Sequence, residues 1–434
     1  QEIPKKHIAQ GHVDSIIGTE LLIPPKSDRE IFYYLIAGEN FGEIFRLQKE
    51  FLEKEMKDYE QDIKKHEKDW LQGIEPDISG VEEEIRDLYK RSLLIIKTQM
   101  AKNGAILAAN DSDNVEYNKD TYSYMWPRDG ALVAKTMIKS GFAEMTKPFF
   151  EFCRDVLYEE GCLLHKYNPD KTLGSSWHPW VLRGKFSLPI QEDETALVLD
   201  ALYEYYEKTK DREFLEKMYP DLVKPMGRFL AQYRYENGLP KESYDLWEER
   251  RAIFTFTTAA VLSGLETSDK LGRKFDDKEF CETCNKNYEK IKKAMVDHLY
   301  DEENGYFRRG VSFEEGKIKH DDAIDSSIYG IFAFGAFEPN DPRVVSTMKK
   351  IKSELEVSTE IGGFARYEDD GYFRQTAQDD EKVPGNPWFI STLWYAKWLI
   401  KKAEKEEELE EPMTYVKWAI KNSLETGVMP EQVH

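Results

Sequence analysis

From about residue 82 to the end of the chain, apolar residues recur at three- and four-residue spacing. That is the period of an α-helix with one face turned to a core. The segments 82–102, 129–140, 145–158, 191–209, 212–235, 253–271, 277–300, 321–337, 341–355, 386–404 and 410–424 all carry it, which makes eleven predicted helices. In 277–300, Tyr288, Ile291, Met295 and Leu299 form the stripe. The stretches between, 103–128, 159–190, 236–252, 301–320 and 356–385, are long and rich in Trp, Tyr, Gly, Pro, Asp and Arg. Long ordered loops are uncommon unless they carry function. Helix pairs alternating with such loops predict a toroid of helices with a pocket at one end. An even number of helices would close the ring. The segments share no fixed repeat, so a helical repeat protein fits poorly.

The first 80 residues read differently. Ile16-Ile17, Glu20–Ile23 and Ile31–Ala37 are short apolar runs broken by Pro24-Pro25 and Gly38, and they predict two or three strands. Three strands bury too little to stand alone. They would end a larger β domain or lean on the helical body. Residues 43–72 are polar and helix-prone, with Phe51, Tyr59 and Trp70 as sparse apolar marks, and predict a linker helix.

Charge narrows the function classes. Sixty-one basic residues against 82 acidic ones leave a net charge of −21. That field repels nucleic acid and anionic membrane surfaces, whereas a neutral substrate is compatible with it. No run approaches the length of a membrane span. No signal peptide is visible, which points to the cytoplasm, although residue 1 is Gln. The four cysteines are too few for a disulfide scaffold. Cys281-x-x-Cys284 lacks a second pair, and two thiols one turn apart are the simpler reading than a zinc site.

Candidate chemistry sits in the loops. Tyr244-Asp245-Leu246-Trp247-Glu248-Glu249-Arg250 sets two adjacent carboxylates beside an indole. Desolvation against Trp247 and the neighbouring charge would both raise a carboxyl pKa, as a general acid requires. The alternative is an acidic first turn of a helix. Tyr122-Ser123-Tyr124-Met125-Trp126-Pro127-Arg128-Asp129 offers a guanidinium fork and an acceptor suited to sugar hydroxyls, or an ordinary helix cap. Trp177-His178-Pro179-Trp180 supplies indole faces that stack on sugar rings. Downstream, Gln191–Glu194 reads equally as a site or as a helix-start charge run. His178 reads as a packed loop histidine more readily than as a ligand. Gly363-Phe364-Ala365-Arg366-Tyr367, Gly385-Asn386-Pro387-Trp388-Phe389 and Pro430-Glu431-Gln432 complete the set.

In this order and spacing, the motifs resemble the glucoamylase family, glycoside hydrolase family 15, in its prokaryotic branch. The family also contains glucodextranases and some trehalases. The resemblance implies an all-α (α/α)6 barrel of twelve helices over residues 81–434. Residues 1–42 would be the remnant of an N-terminal β-sandwich, and residues 43–80 the linker helix. In the family a further helix follows the Pro-Glu-Gln motif, so the chain looks truncated at both ends and the barrel short of its last helix.

The resemblance also assigns roles. Glu248 would be the general acid and Glu431 the general base of an inverting, exo-acting hydrolysis that releases β-glucose from α-glucan ends. Arg128, Asp129 and Arg366 would hold the terminal glucosyl hydroxyls. Tyr122 would sit near the oxocarbenium-like centre, with Trp126 and Trp388 in the substrate site. Trp247 and Glu249 would bind around the cleaved bond. Trp177 or Trp180 would form a pocket wall. Inversion requires the two carboxyls on opposite faces of the sugar, roughly 6.5–9.5 Å apart. The expected partner is an oligosaccharide or α-glucan, with no cofactor. Oligomeric state stays open. Trehalase or glucodextranase activity, or a non-catalytic glucan-binding module, are the alternatives.

Overall fold

The computed structural model describes residues 18–110, 121–182, 184–314, 316–375 and 383–434. The chain divides into two compact units, Gln1–Gln72 and Gly73–His434.

In the first unit, residues 18–40 form no strand. Leu22 and Leu35 are 88% and 85% exposed. The predicted strands at 20–23 and 31–37 are therefore not formed. A strand needs a neighbour for its amide groups, and the described residues provide none. Ile16-Ile17 lie outside the described residues. The predicted linker helix is two helices, Phe41–Phe51 and Met56–Leu71. The Asn40 side chain caps the first by accepting from the Glu43 amide. Phe51 stacks on Tyr59 at 4.8 Å across the break.

The second unit is a helical layer around a helical centre. Glu192–Thr209 and Thr255–Arg273 are buried on most of their surface. Their closest approach passes through Gly264, where a Cβ would meet Leu230 Cδ1 at 2.7 Å and the Ala196 Cα at 3.0 Å. Only glycine permits that spacing. In the helix Lys278–Leu299 the predicted residues Ile291, Met295 and Leu299 are buried, Tyr288 is half-buried, and Cys284 joins the stripe. Its cysteines pack in that stripe. Burial pushes their thiols up to about 11 and about 12, so both stay protonated at neutral pH.

Two predicted helices come out divided. Segment 212–235 is Arg212–Met218, a π-turn Tyr219–Val223 and Lys224–Gln232. Pro220 and Pro225 each remove a backbone donor, and the ladder shifts register between them. Segment 321–337 forms only the short turns Ser326–Tyr329 and Gly330–Ala333. Gly335 at φ 76° ends the run.

The long loops hold strands that the helical pattern concealed. Ser243–Tyr244, Arg251–Phe254, Gly310–Glu314 and Lys317–Asp321 form one antiparallel sheet in that order. Tyr244 pairs with Arg251, Phe254 with Gly310, and Val311 with His320. The Tyr244–Arg250 motif is thus the turn of a hairpin, not the first turn of a helix.

Candidate active site

The site is assembled from the loops. The Tyr122–Asp129 motif runs into the helix Pro127–Lys139. Its Arg128 is 3% exposed and surrounded by acids. Its Nη1 lies 2.9 Å from both Asp193 Oδ2 and Glu194 Oε1, and its Nη2 lies 3.6 Å from Glu248 Oε1. Glu194 also accepts from the Arg128 amide. The acidic run at 192–194 is therefore not a solvated helix start. All three side chains are buried. The Asp129 side chain is partly exposed, at 42%. Desolvation and the charges of Glu248 and Asp193 lift its carboxyl above the usual range, against the pull of Arg128.

The hairpin turn carrying Glu248 is held from within by Asp245. Its Oδ1 accepts the amides of Glu249 at 2.8 Å and Arg250 at 3.1 Å. Glu248 occupies the left-handed region at φ 61°. A strained backbone at a glutamate persists only where its surroundings over-determine it.

Glu248 Oε1 is the focus of donors. The Trp126 indole N–H donates to it at 2.9 Å, and His165 Nε2 lies 2.8 Å away. Oε2 is enclosed and has no hydrogen-bond partner among the described residues. Burial pushes the Glu248 carboxyl up, but the His165 hydrogen bond and the charges of His165 and Arg128 outweigh it. The net direction is down. The raised pKa expected from Trp247 and Glu249 is therefore overturned. Trp247 turns instead to Asp325, donating to both carboxylate oxygens at 3.1 Å, and Arg366 lies over its ring at 5.1 Å.

Arg366 organises the second half. It grips Asp370 through two nitrogens, at 2.7 Å and 2.8 Å, and reaches Glu249 Oε1 at 2.9 Å. The other oxygen of Glu249 accepts the Tyr367 hydroxyl. Trp388, below Arg366 at 4.6 Å, pairs by backbone with both Phe364 and Gln432. The Phe389 amide donates to the Glu431 carbonyl at 3.1 Å, the Val433 amide to the Pro387 carbonyl at 3.1 Å, and Asn386 Nδ2 to Gln432 Oε1 at 2.7 Å. The Gly-Asn-Pro-Trp-Phe motif thus clamps the segment that bears Glu431.

Tyr122 links the halves. Its hydroxyl is pushed up by burial, by Tyr372 and by the charges of both Glu431 and Glu248. Its ring lies 6.0 Å from Trp126 and 5.9 Å from Trp177. Trp177 is 43% exposed and carries Lys166 Nζ 3.7 Å from its ring. Trp180 stacks instead on Phe186 of a small hairpin at 5.9 Å. Of the two indoles, Trp177 is the one in the cluster.

Sequence reasoning missed His165 and Tyr372, and left Asp193 and Glu194 open between a site and a helix-start charge run. His165 closes the apolar run Cys162-Leu163-Leu164, where a buried polar group needs a partner. By residue type, His165, His178 and Glu248 are the one group among the described residues that could hold a cation. The two rings stack face to face at 4.1 Å and 14°, so their in-plane lone pairs do not converge on one point.

The family model for glycosyl hydrolases family 15 matches residues 83–420. The chain belongs to this family. An uncharacterised glycosyl hydrolase of Methanocaldococcus jannaschii is 26% identical over 81% of this chain and 52% of its own length. Trehalase 1 of Sulfolobus acidocaldarius is 22% identical over 70% of this chain and 50% of its own. The chain spans about half the length of these curated relatives. A bacterial glucoamylase complexed with acarbose superposes with a TM-score of 0.69 at 19% identity, covering 91% of this chain and 58% of that one. The family 15 fold, an (α/α)6 architecture, accounts for the central and outer helices above. No helix among the described residues is long and apolar enough to cross a membrane.

Proposed function

We propose that this chain carries the site of an inverting, exo-acting glycoside hydrolase that releases β-glucose from the non-reducing ends of α-glucans. Glu248 is the general acid and Glu431 the general base. The observation that carries the reading is Tyr122: its ring lies 6.0 Å from Trp126, which donates to Glu248, and its hydroxyl feels the charges of both Glu248 and Glu431, which are far apart in the chain.

The chemistry follows from the donors. Oε1 of Glu248 is occupied by donors, so the acid's proton resides on Oε2. In the reaction Oε2–H passes its proton to the glycosidic oxygen as the anomeric C–O bond breaks. Glu431 takes a proton from a water on the opposite face, and the oxygen of that water forms the new bond to the anomeric carbon. Both carboxyls then return to their starting states by proton exchange with solvent. Asp129, partly exposed, accepts from sugar hydroxyls. Arg128 and Arg366 hold the acids that shape the pocket, and Trp177, Trp126 and Trp388 supply apolar walls.

The trehalase relative favours trehalose as a second substrate. The test is proton NMR of the first product from maltotriose, isomaltose and trehalose. From maltotriose or isomaltose, β-glucose as first product supports the mechanism and α-glucose sinks it; from trehalose, whose leaving glucose keeps its α configuration, inversion gives equal α- and β-glucose and retention gives α-glucose alone. Binding of acarbose without turnover would favour a glucan-binding module instead.

A further inference from the structure

His165 has no role in the reading above. It is fully buried, with Nε2 2.8 Å from Glu248 Oε1 and Nδ1 3.0 Å from Ser176 Oγ. Ser176 Oγ already accepts the His178 amide N–H at 3.1 Å. A serine hydroxyl has one proton to donate and two lone pairs to accept with, so it can pair with Nδ1 in either direction. With its proton on Nε2 the ring donates to Glu248 Oε1 at 2.8 Å, and the Trp126 indole nitrogen lies 3.1 Å from the same Nε2.

The ring is fixed on all sides. His178 stacks on it at 4.1 Å, and Trp126 and Trp177 meet it edge-on at 6.0 Å and 5.8 Å. His178 in turn stacks on Tyr244 at 4.1 Å, in the strand that leads into the Glu248 turn. Burial and the neighbouring His165 push His178 down to about 3, so it stays neutral in the stack.

We infer that His165 is a positioning residue for the acid: its Nε2–H holds Oε1 of Glu248, confines the acid's proton to Oε2 and sets the pH range in which that proton is present. This rests on Glu248 being the acid. The other charged or titratable groups around the pair are Arg128 and Asp129 from the Pro127–Lys139 helix, Asp193 and Glu194 from the next inner helix, and Lys166 and His178 from the loop. The Tyr122 hydroxyl also faces Glu248. Arg128 stays charged throughout, so its pull on Glu248 is constant across variants.

The experiment compares pH profiles of kcat and kcat/KM for wild type, His165→Ala, His165→Gln, His165→Phe and Glu248→Gln on the best α-glucoside found. A lost donor to a charged carboxylate should move the basic limb of the His165→Ala profile up by about one pH unit or more. Its kcat should fall by about tenfold or more, with KM nearly unchanged. His165→Gln puts an amide N–H near the Nε2 position and should return both toward wild type. An unmoved limb in His165→Ala, or no rescue by His165→Gln, overturns the inference. If His165→Ala fails to fold, His165→Phe keeps the ring's bulk without a donor; an unmoved limb there overturns the inference equally. Activity in Glu248→Gln would instead sink the acid assignment itself. An inactive Glu248→Gln beside an unaltered His165→Ala would sink the positioning role alone.

Discussion

The indole N–H of Trp126 donates to Oε1 of Glu248 at 2.9 Å, joining two motifs that lie 122 residues apart. One oxygen of the carboxyl is thereby fixed and the other left to carry a proton. Replacing Glu248 by Gln keeps the shape and an acceptor for Trp126 but removes the acid. Kcat should fall by about 10²–10⁴-fold, the usual contribution of a general acid, while thermal unfolding stays close to wild type. Steady-state assays on maltotriose beside a melting curve check both.

The pH optimum should be acidic. Glu248 must be protonated to donate, and its carboxyl is held below the ordinary range despite burial. The protonated fraction of free enzyme then falls as pH rises through an already low pKa. The basic limb of kcat/KM should lie well below neutrality. A limb at pH 7 or above would contradict the lowered pKa.

Arg128 should be worth more to folding than to contact with substrate. It is 3% exposed between Asp193 and Glu194, themselves 1% and 0% exposed. Arg128→Met removes the cation between those buried acids, leaving Glu194 the backbone amide of residue 128 and Asp193 the Thr257 hydroxyl. Breaking one side of such a cluster costs about 3–5 kcal/mol. Urea unfolding should show a loss of that order, and a loss under 1 kcal/mol would mean that the acids find other partners.

Glu192 should make the fold weaker as pH rises. It is 1% exposed, and burial, partly offset by Ser243, lifts its carboxyl to about 8. With the folded pKa above the unfolded one, its favourable contribution is full below the ordinary carboxylate pKa. That contribution is lost progressively as pH rises toward 8, because the unfolded chain ionises first. Glu192→Gln carries no such term. Its stability advantage over wild type should grow between about pH 4.5 and 8, by roughly a few kcal/mol. Melting temperatures at several pH values test the slope; parallel curves for the two proteins would refute it.

The two indoles of the 177–180 segment should separate. Trp177 meets Tyr122 and Trp126. Trp180 meets Phe186. Trp177→Ala should raise KM for maltose by about tenfold, the scale of one lost aromatic contact, and Trp180→Ala should leave it nearly unchanged. Equal effects would mean that both line the pocket.

The helical body was legible where one period ran unbroken, as in Lys278–Leu299 with its buried stripe. The four-stranded sheet was not, although Val311–Ile318 alternates around Gly316, which turns at φ 76°. Strands of two to five residues are too short to compete with the surrounding helical period. The runs at 20–23 and 31–37 had the local pattern of strands but no neighbour among the described residues, and pattern alone cannot supply a pairing partner.

The same division holds at the site. Sequence alone determined the motif set, the family and the residue types available for acid, base and sugar contact, because chemistry is read from side-chain identity. Tertiary structure decided how they are used. Glu248 lost its expected raised pKa because Trp247 turned to Asp325, while His165 and Arg128 came to the carboxyl instead. Asp193 and Glu194 became the buried partners of Arg128 because the inner helix start is buried. Glu431 gained its support from Asn386 to Phe389, through backbone pairing that no spacing announces. A pKa depends on distance, burial and charge, and those exist only once the loops have met.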